Sequence, residues 1–195
     1  MEHILAHADV WEELAASGCL FVVSAFESVN DATLELLDKG HTAADAGQAV
    51  ALLRGHGIAI RPSWLPFTPW ATLADIRAIL EFVAVHGLVG NVDPVQYTIR
   101  LLVPEGSLLL GHVDGLGAWD PDRLGYPWSS DLDPLQARFA ALVEAAGDAP
   151  IPETYDALRA EVGLEPLGLA VVESPRLNEP WFCCAEPTEL QLRAI

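Results

Sequence analysis

Two cysteines side by side, Cys183 and Cys184, are the most pointed chemical feature of the sequence. Neighbouring Cα atoms lie about 3.8 Å apart, below the usual disulfide span of about 4.4–6.8 Å, so a bond between them is strained and easily reduced. Strained pairs of this kind serve redox chemistry or bind metal or substrate. The alternative is two hydrophobe-like thiols packed beside Trp181 and Phe182. The other candidates gather where apolar runs end. Ser24, Glu27 and Ser28 lie late in or just after CLFVVSAF, Trp64, Thr68 and Trp70 late in or just after IAIRPSWLPF, and Gln96, Tyr97 and Arg100 within VDPVQYTIRLLVP. A buried, unpartnered carboxylate such as Glu27 would cost on the order of several kcal/mol, so it caps a helix, meets solvent or binds something. Arg100 suits a substrate, a cofactor or a structural ion pair. His3 and His7 are four apart, a spacing compatible with a metal, but no third ligand accompanies them and no metal site is assigned.

These residues need a scaffold that brings run ends together. Residues 4–17 carry Ile4, Leu5, Val10, Trp11 and Leu14 at helical spacing, stopped by Gly18. The run at 19–26 is too short for a helix and rich in Val and Phe, which predicts a buried strand. Asn30 or Asp31 caps a following helix ended by Gly40, and a second helix spans about 43–55. A strand near 57–65 follows. Thr72 then caps a helix whose Leu73, Ile76, Ile79, Leu80 and Val83 form the clearest amphipathic stripe. A third strand is predicted near 92–99. Strands separated by such helices mean βαβ units and a parallel sheet, an α/β fold with ligands beyond the carboxyl ends of the strands. From Gly111 the texture changes to a long Gly, Pro, Asp and Trp segment, then helices near 134–146 and 153–162.

Composition narrows the classes. The 195 residues suffice for one ordinary domain, and 51% hydrophobic against 19% charged residues predicts a large core. The net charge of −18 argues against nucleic acid and anionic membranes as partners. No run reaches about 18 apolar residues, and three cysteines make no disulfide framework. The expectation is a cytoplasmic protein with reduced thiols.

Three blocks in order carry a resemblance: FVVSAFESVNDATLELLDKGHTAAD, GIAIRPSWLPFTPW and VDPVQYTIRLLVPEGSLLL. Together they resemble the carboxyl-terminal half of a radical SAM core domain. FCCAEP near the end resembles the signature of the CUAEP/CCAEP-tail radical SAM proteins. The resemblance implies a partial (β/α)6 barrel, here its second half over residues 1–111, with a loop-rich helical extension over 112–195. It also implies S-adenosylmethionine and a [4Fe–4S] cluster as cofactors of a complete enzyme that generates a 5′-deoxyadenosyl radical. The CxxxCxxC loop that holds such a cluster is missing from this chain, so none is expected to be held stably. Met1 would then be an internal or misassigned start, and the amino-terminal half a partner.

Carried over by position, Glu27, helped by Ser24, would bond the ribose, and Lys39 would pair with the methionyl carboxylate. Lys39 lies 12 residues after Glu27, about three helical turns and so on one face. Thr68 would lie near the cofactor, and Arg100 would serve substrate or catalysis. Cys183 and Cys184 would deliver a hydrogen atom to a radical intermediate or bind a ligand. The substrate, small molecule or peptide, is not specified by these residues. The competing reading is a non-catalytic thiol or metal-binding α/β module acting through Cys183 and Cys184, or a bare remnant of a split gene.

Overall fold

A computed structural model describes residues 1–171, 174 and 175. The described residues form two parallel strands and seven α-helices, an α/β arrangement. Strand β1 (Phe21–Glu27) pairs with β2 (Ala59–Trp64) from Phe21↔Ala59 to Ala25↔Ser63, and a bulge then sets Glu27 opposite Trp64. Between them run α3 (Asp31–Leu36) and α4 (Ala43–Gly55), and α5 (Leu73–Val85) follows β2.

Local chemistry explains where the helices start. The Asn30 side chain accepts from the Ala32 amide at 3.0 Å. Thr42 with Asp45, and Thr72 with Asp75, close reciprocal capping boxes that satisfy amides otherwise left orphaned at a helix start. Inside, Phe26 of β1, Trp64 of β2 and Phe82 of α5 meet edge to face at 5.4–6.1 Å. Leu53 of α4 and Ile79, Leu80 and Val83 of α5 are buried in the same core.

Two predicted elements differ from the observed ones. The helix expected over 4–17 breaks at His7 into α1 (Glu2–Ala6), a 3-10 turn (Ala8–Val10) and α2 (Trp11–Ala16). The Trp11 indole N–H donates to the Ile4 carbonyl at 2.9 Å, a bond seven residues long that a straight helix cannot make. The strand expected near 92–99 is largely a 3-10 turn, Pro94–Thr98. Pro94 has no amide to give a ladder, and the Gln96 N–H turns back to the Asp93 carbonyl at 2.8 Å. In place of a backbone carbonyl, the Gln96 side-chain oxygen accepts from the Trp64 amide at 3.2 Å. Sheet pairing survives only at Phe67↔Arg100, where Phe67 exchanges bonds with Ile99 and Leu101.

The extension is welded to this half. Its α6 (Asp133–Ala146) and α7 (Ile151–Glu161) pack together, and the Tyr155 hydroxyl donates to the Leu80 carbonyl of α5. Arg77 reaches the Val162 carbonyl at 2.7 Å, and Arg159 meets Glu81 at 3.0 Å. Gly125 lies so close that an added Cβ would sit 2.8 Å from Leu102 and 3.0 Å from the Val103 carbonyl. The core therefore runs unbroken across Gly111. Among the described residues no helix is long and apolar enough to cross a membrane.

Candidate functional site

Glu27 ends β1 in a left-handed conformation, φ 62°, at the bulge. The Ser28 N–H donates to the Phe26 carbonyl at 2.7 Å, closing a γ-turn centred on Glu27. A left-handed backbone is unfavourable for a side chain of this length, and non-glycine residues held so cluster at functional sites. The turn aims the carboxylate out of the strand. Lys39 Nζ lies 2.7 Å from Glu27 Oε1, with the two side chains 31% and 12% exposed. The sequence reading gave these two residues separate ligand groups and one helical face; here they pair with each other, and by another route. Helix α3 stops at Leu36, and Lys39 is brought back by positive φ at Asp38 and Gly40, with its amide bonded to the Leu34 carbonyl at 3.0 Å.

His41 braces the pair. Its Nδ1 faces the Lys39 carbonyl at 3.1 Å and its Nε2 the Phe26 carbonyl at 3.4 Å. Both partners are acceptors, so only a doubly protonated ring bonds both. Behind the site, Asn30 donates to Asp75 at 2.7 Å and Trp70 to the Thr33 hydroxyl at 3.2 Å, tying α3 to α5 and to the loop after β2. The Asp75 carboxyl is pushed up by burial but held below its usual range overall by bonds from Thr72 and Asn30.

The other predicted residues disperse. Ser24 lies ahead of the bulge, and among the described residues no hydrogen bond links it to Glu27 or Lys39; it lines a separate groove. Thr68 is buried, and its hydroxyl has no partner among the described residues, as is true of the Trp64 indole N–H and the Tyr97 hydroxyl. Burial, reinforced by Tyr155 and Asp93, raises the Tyr97 phenol well above its ordinary value, so it stays neutral. Trp64 and Phe67 are core residues.

Arg100 is engaged structurally. Its Nη1 lies 2.6 Å from Asp133 Oδ1, its guanidinium stacks 3.4 Å from the Trp128 ring centre, and its Nη2 donates to the Trp128 carbonyl. This is a clamp on the start of α6, and it does not place the guanidinium beside Glu27. Cys183 and Cys184 lie outside the described residues. Cys19, partly buried before β1, contacts the Phe21 carbonyl at 3.7 Å. The His3 and His7 rings stack at 6.2 Å, and no group of three metal-capable side chains occurs among the described residues.

Arg61 was not singled out by the sequence reading, although a cation inside the apolar run IAIRPSW is a visible signal. It is 6% exposed at mid-β2, bonded to Asp93 at 2.8 Å and to the Pro175 carbonyl at 3.1 Å. Arg61 thereby ties Pro175 to β2. No family model and no curated protein matches this chain.

Proposed function

We propose that this chain is the carboxyl-terminal half of a radical SAM enzyme, with the strands and helices around β1 and β2 forming part of a (β/α) barrel. The observation that carries the reading is the Glu27–Lys39 pair, 2.7 Å apart at the carboxyl end of β1. It joins the two positions that the resemblance assigns to the ribose and to the methionyl carboxylate. Glu27 offers two oxygens to a vicinal diol, and Lys39 offers a cation to a carboxylate. A ligand bearing both groups exchanges the mutual bond for one contact to each. The strained turn at Glu27 supports the same reading, because it holds the carboxylate at the strand end. Thr68 adds a buried hydroxyl without a protein partner among the described residues.

A cluster does not fit the described residues. Cys19 is their one cysteine, and it precedes β1, at the end of the strand opposite Glu27. No step is therefore derived through a cluster; on this reading its CxxxCxxC loop belongs to a segment ahead of residue 1. The 195-residue chain, reconstituted anaerobically with iron and sulfide, is expected to show no stable [4Fe–4S] spectrum. Such a cluster needs three placed thiolates, and the sequence offers a single and a neighbouring pair.

The experiment is to read the DNA upstream of the Met1 codon in all forward frames and to express the extended protein. The expected result is an upstream CxxxCxxC and a reconstituted enzyme that converts S-adenosylmethionine to 5′-deoxyadenosine. Glu27→Gln should impair that turnover while keeping the cluster spectrum. An upstream sequence without the motif, together with a ribosome-binding site serving Met1, overturns the proposal.

A further inference from the structure

We propose that the exposed face of β1 is the docking surface for this chain's own carboxyl-terminal segment, residues 176–184, with Trp181 and Phe182 covering Val23 and Ala25. Side chains alternate along the strand. Ser24 and Phe26 are buried on one side, while Val23, 45% exposed, and Ala25 lie exposed on the other. A small exposed apolar face is common and by itself assigns nothing. The bond made by Arg61 does. Val23 pairs with Arg61 in the register, and paired residues of neighbouring strands project to the same side of a sheet. On that side Arg61 donates to the Pro175 carbonyl at 3.1 Å, while its second nitrogen meets Asp93 at 2.8 Å. The chain therefore passes the Val23 side of the sheet at Pro175.

Twenty residues follow Pro175 in the sequence, and they lie outside the described residues. Neighbouring strands are about 4.8 Å apart, so Val23 is one strand spacing from the residue that anchors Pro175. Trp181 comes six residues after Pro175, and an extended stretch of that length reaches about 20 Å. Reach is ample. Charge favours this segment over a second copy of the chain. RLNEPWFCC holds one Arg and one Glu and is neutral in sum, whereas two copies would each bring a net charge of −18. The tether adds an effective concentration on the order of millimolar for a short linker, without any further contact. Two adjacent aromatic rings supply the apolar area to cover the face. Docking there would bring Cys183 and Cys184, the next residues in the chain, onto the side of the sheet that holds Val23. None of this depends on the cofactor assigned to Glu27 and Lys39.

Digesting the full chain with trypsin under native conditions, and timing cleavage after Arg176 by mass spectrometry, tests this. Cleavage is expected to be slower by about tenfold or more than in a synthetic peptide of residues 170–182, because it waits for the segment to lift off. Val23→Glu, checked for an unchanged amide spectrum outside β1, should return cleavage toward the peptide rate. Trp181→Ala should do the same from the other side of the contact. In the native chain a nuclear Overhauser contact should join the Trp181 indole to the Val23 methyl groups. Native cleavage at the peptide rate overturns the proposal, as does protection that survives both substitutions. Protection that grows with protein concentration also overturns it, by giving the surface to a second copy.

Discussion

Glu27 combines a strained backbone with a partly buried charge, and substitution separates the two. Glu27→Gln keeps the left-handed backbone and loses the ion pair; with Lys39 a third exposed, the pair is worth at most about 1 kcal/mol. Glu27→Gly loses the same pair but removes a left-handed penalty of about 1–2 kcal/mol, at an entropic cost of about 0.5–1 kcal/mol. The glycine variant is therefore expected to be the more stable of the two in urea unfolding. If the glutamine variant is the more stable, the turn carries no strain in solution. A second residue sets a pH response. Burial, and after it the Arg54 cation, lower the His86 imidazole below its usual value. The unfolded chain then binds that proton more readily, so the contribution is complete above about pH 6.5 and is lost as pH falls through the lowered value. The urea midpoint should fall between about pH 7 and pH 5, and by less in His86→Gln. Equal slopes for both proteins would remove His86 from the account.

Elements were legible where one local rule decided them. The stripe of Ile76, Ile79, Leu80 and Val83 is buried as its spacing implies, and Thr72 and Asn30 cap as their types imply. Elements failed where a distant partner decided. The break at His7 depends on where the Trp11 indole finds a carbonyl, and the missing strand depends on Gln96 capping Trp64. The clamp at Arg100 is likewise long-range, joining the chain after β2 to α6 through Trp128 and Asp133. Lysine keeps the charge but neither the planar stack nor the forked geometry. Arg100→Lys is expected to destabilise by about 1–2 kcal/mol, the scale of a desolvated cation–π contact with its hydrogen bonds. Amide exchange should quicken first at the start of α6. Unchanged exchange there would mean that packing of Leu135 and Phe139 holds the helix without the clamp.

Glu27 and Lys39 could be singled out from the sequence, but the geometry that joins them could not. Glu27 and Lys39 meet because two left-handed turns reverse the chain, which a count of helical turns does not contain. His41 and Arg61 act on main-chain carbonyls remote in sequence, so their neighbours in the chain do not mark them. The same non-locality governs the molecule as a whole. A change of texture at Gly111 suggests a boundary, yet Phe139 meets Phe67 edge to face at 6.0 Å and Tyr155 lies 5.7 Å from Tyr97. Removing residues 112–195 would uncover Phe67, Tyr97 and the α5 face at Leu80, and would leave the Leu80 and Leu101 carbonyls without the Tyr155 and Trp128 donors. Each large aromatic lost from a core costs about 3–5 kcal/mol, against a total stability of about 5–15 kcal/mol for an ordinary domain. Two such losses alone approach that total. Residues 1–111 are therefore expected not to fold in isolation, while the full chain should unfold in one cooperative transition by circular dichroism and by tryptophan fluorescence. A dispersed amide spectrum from residues 1–111 alone would show that the core divides at Gly111 after all.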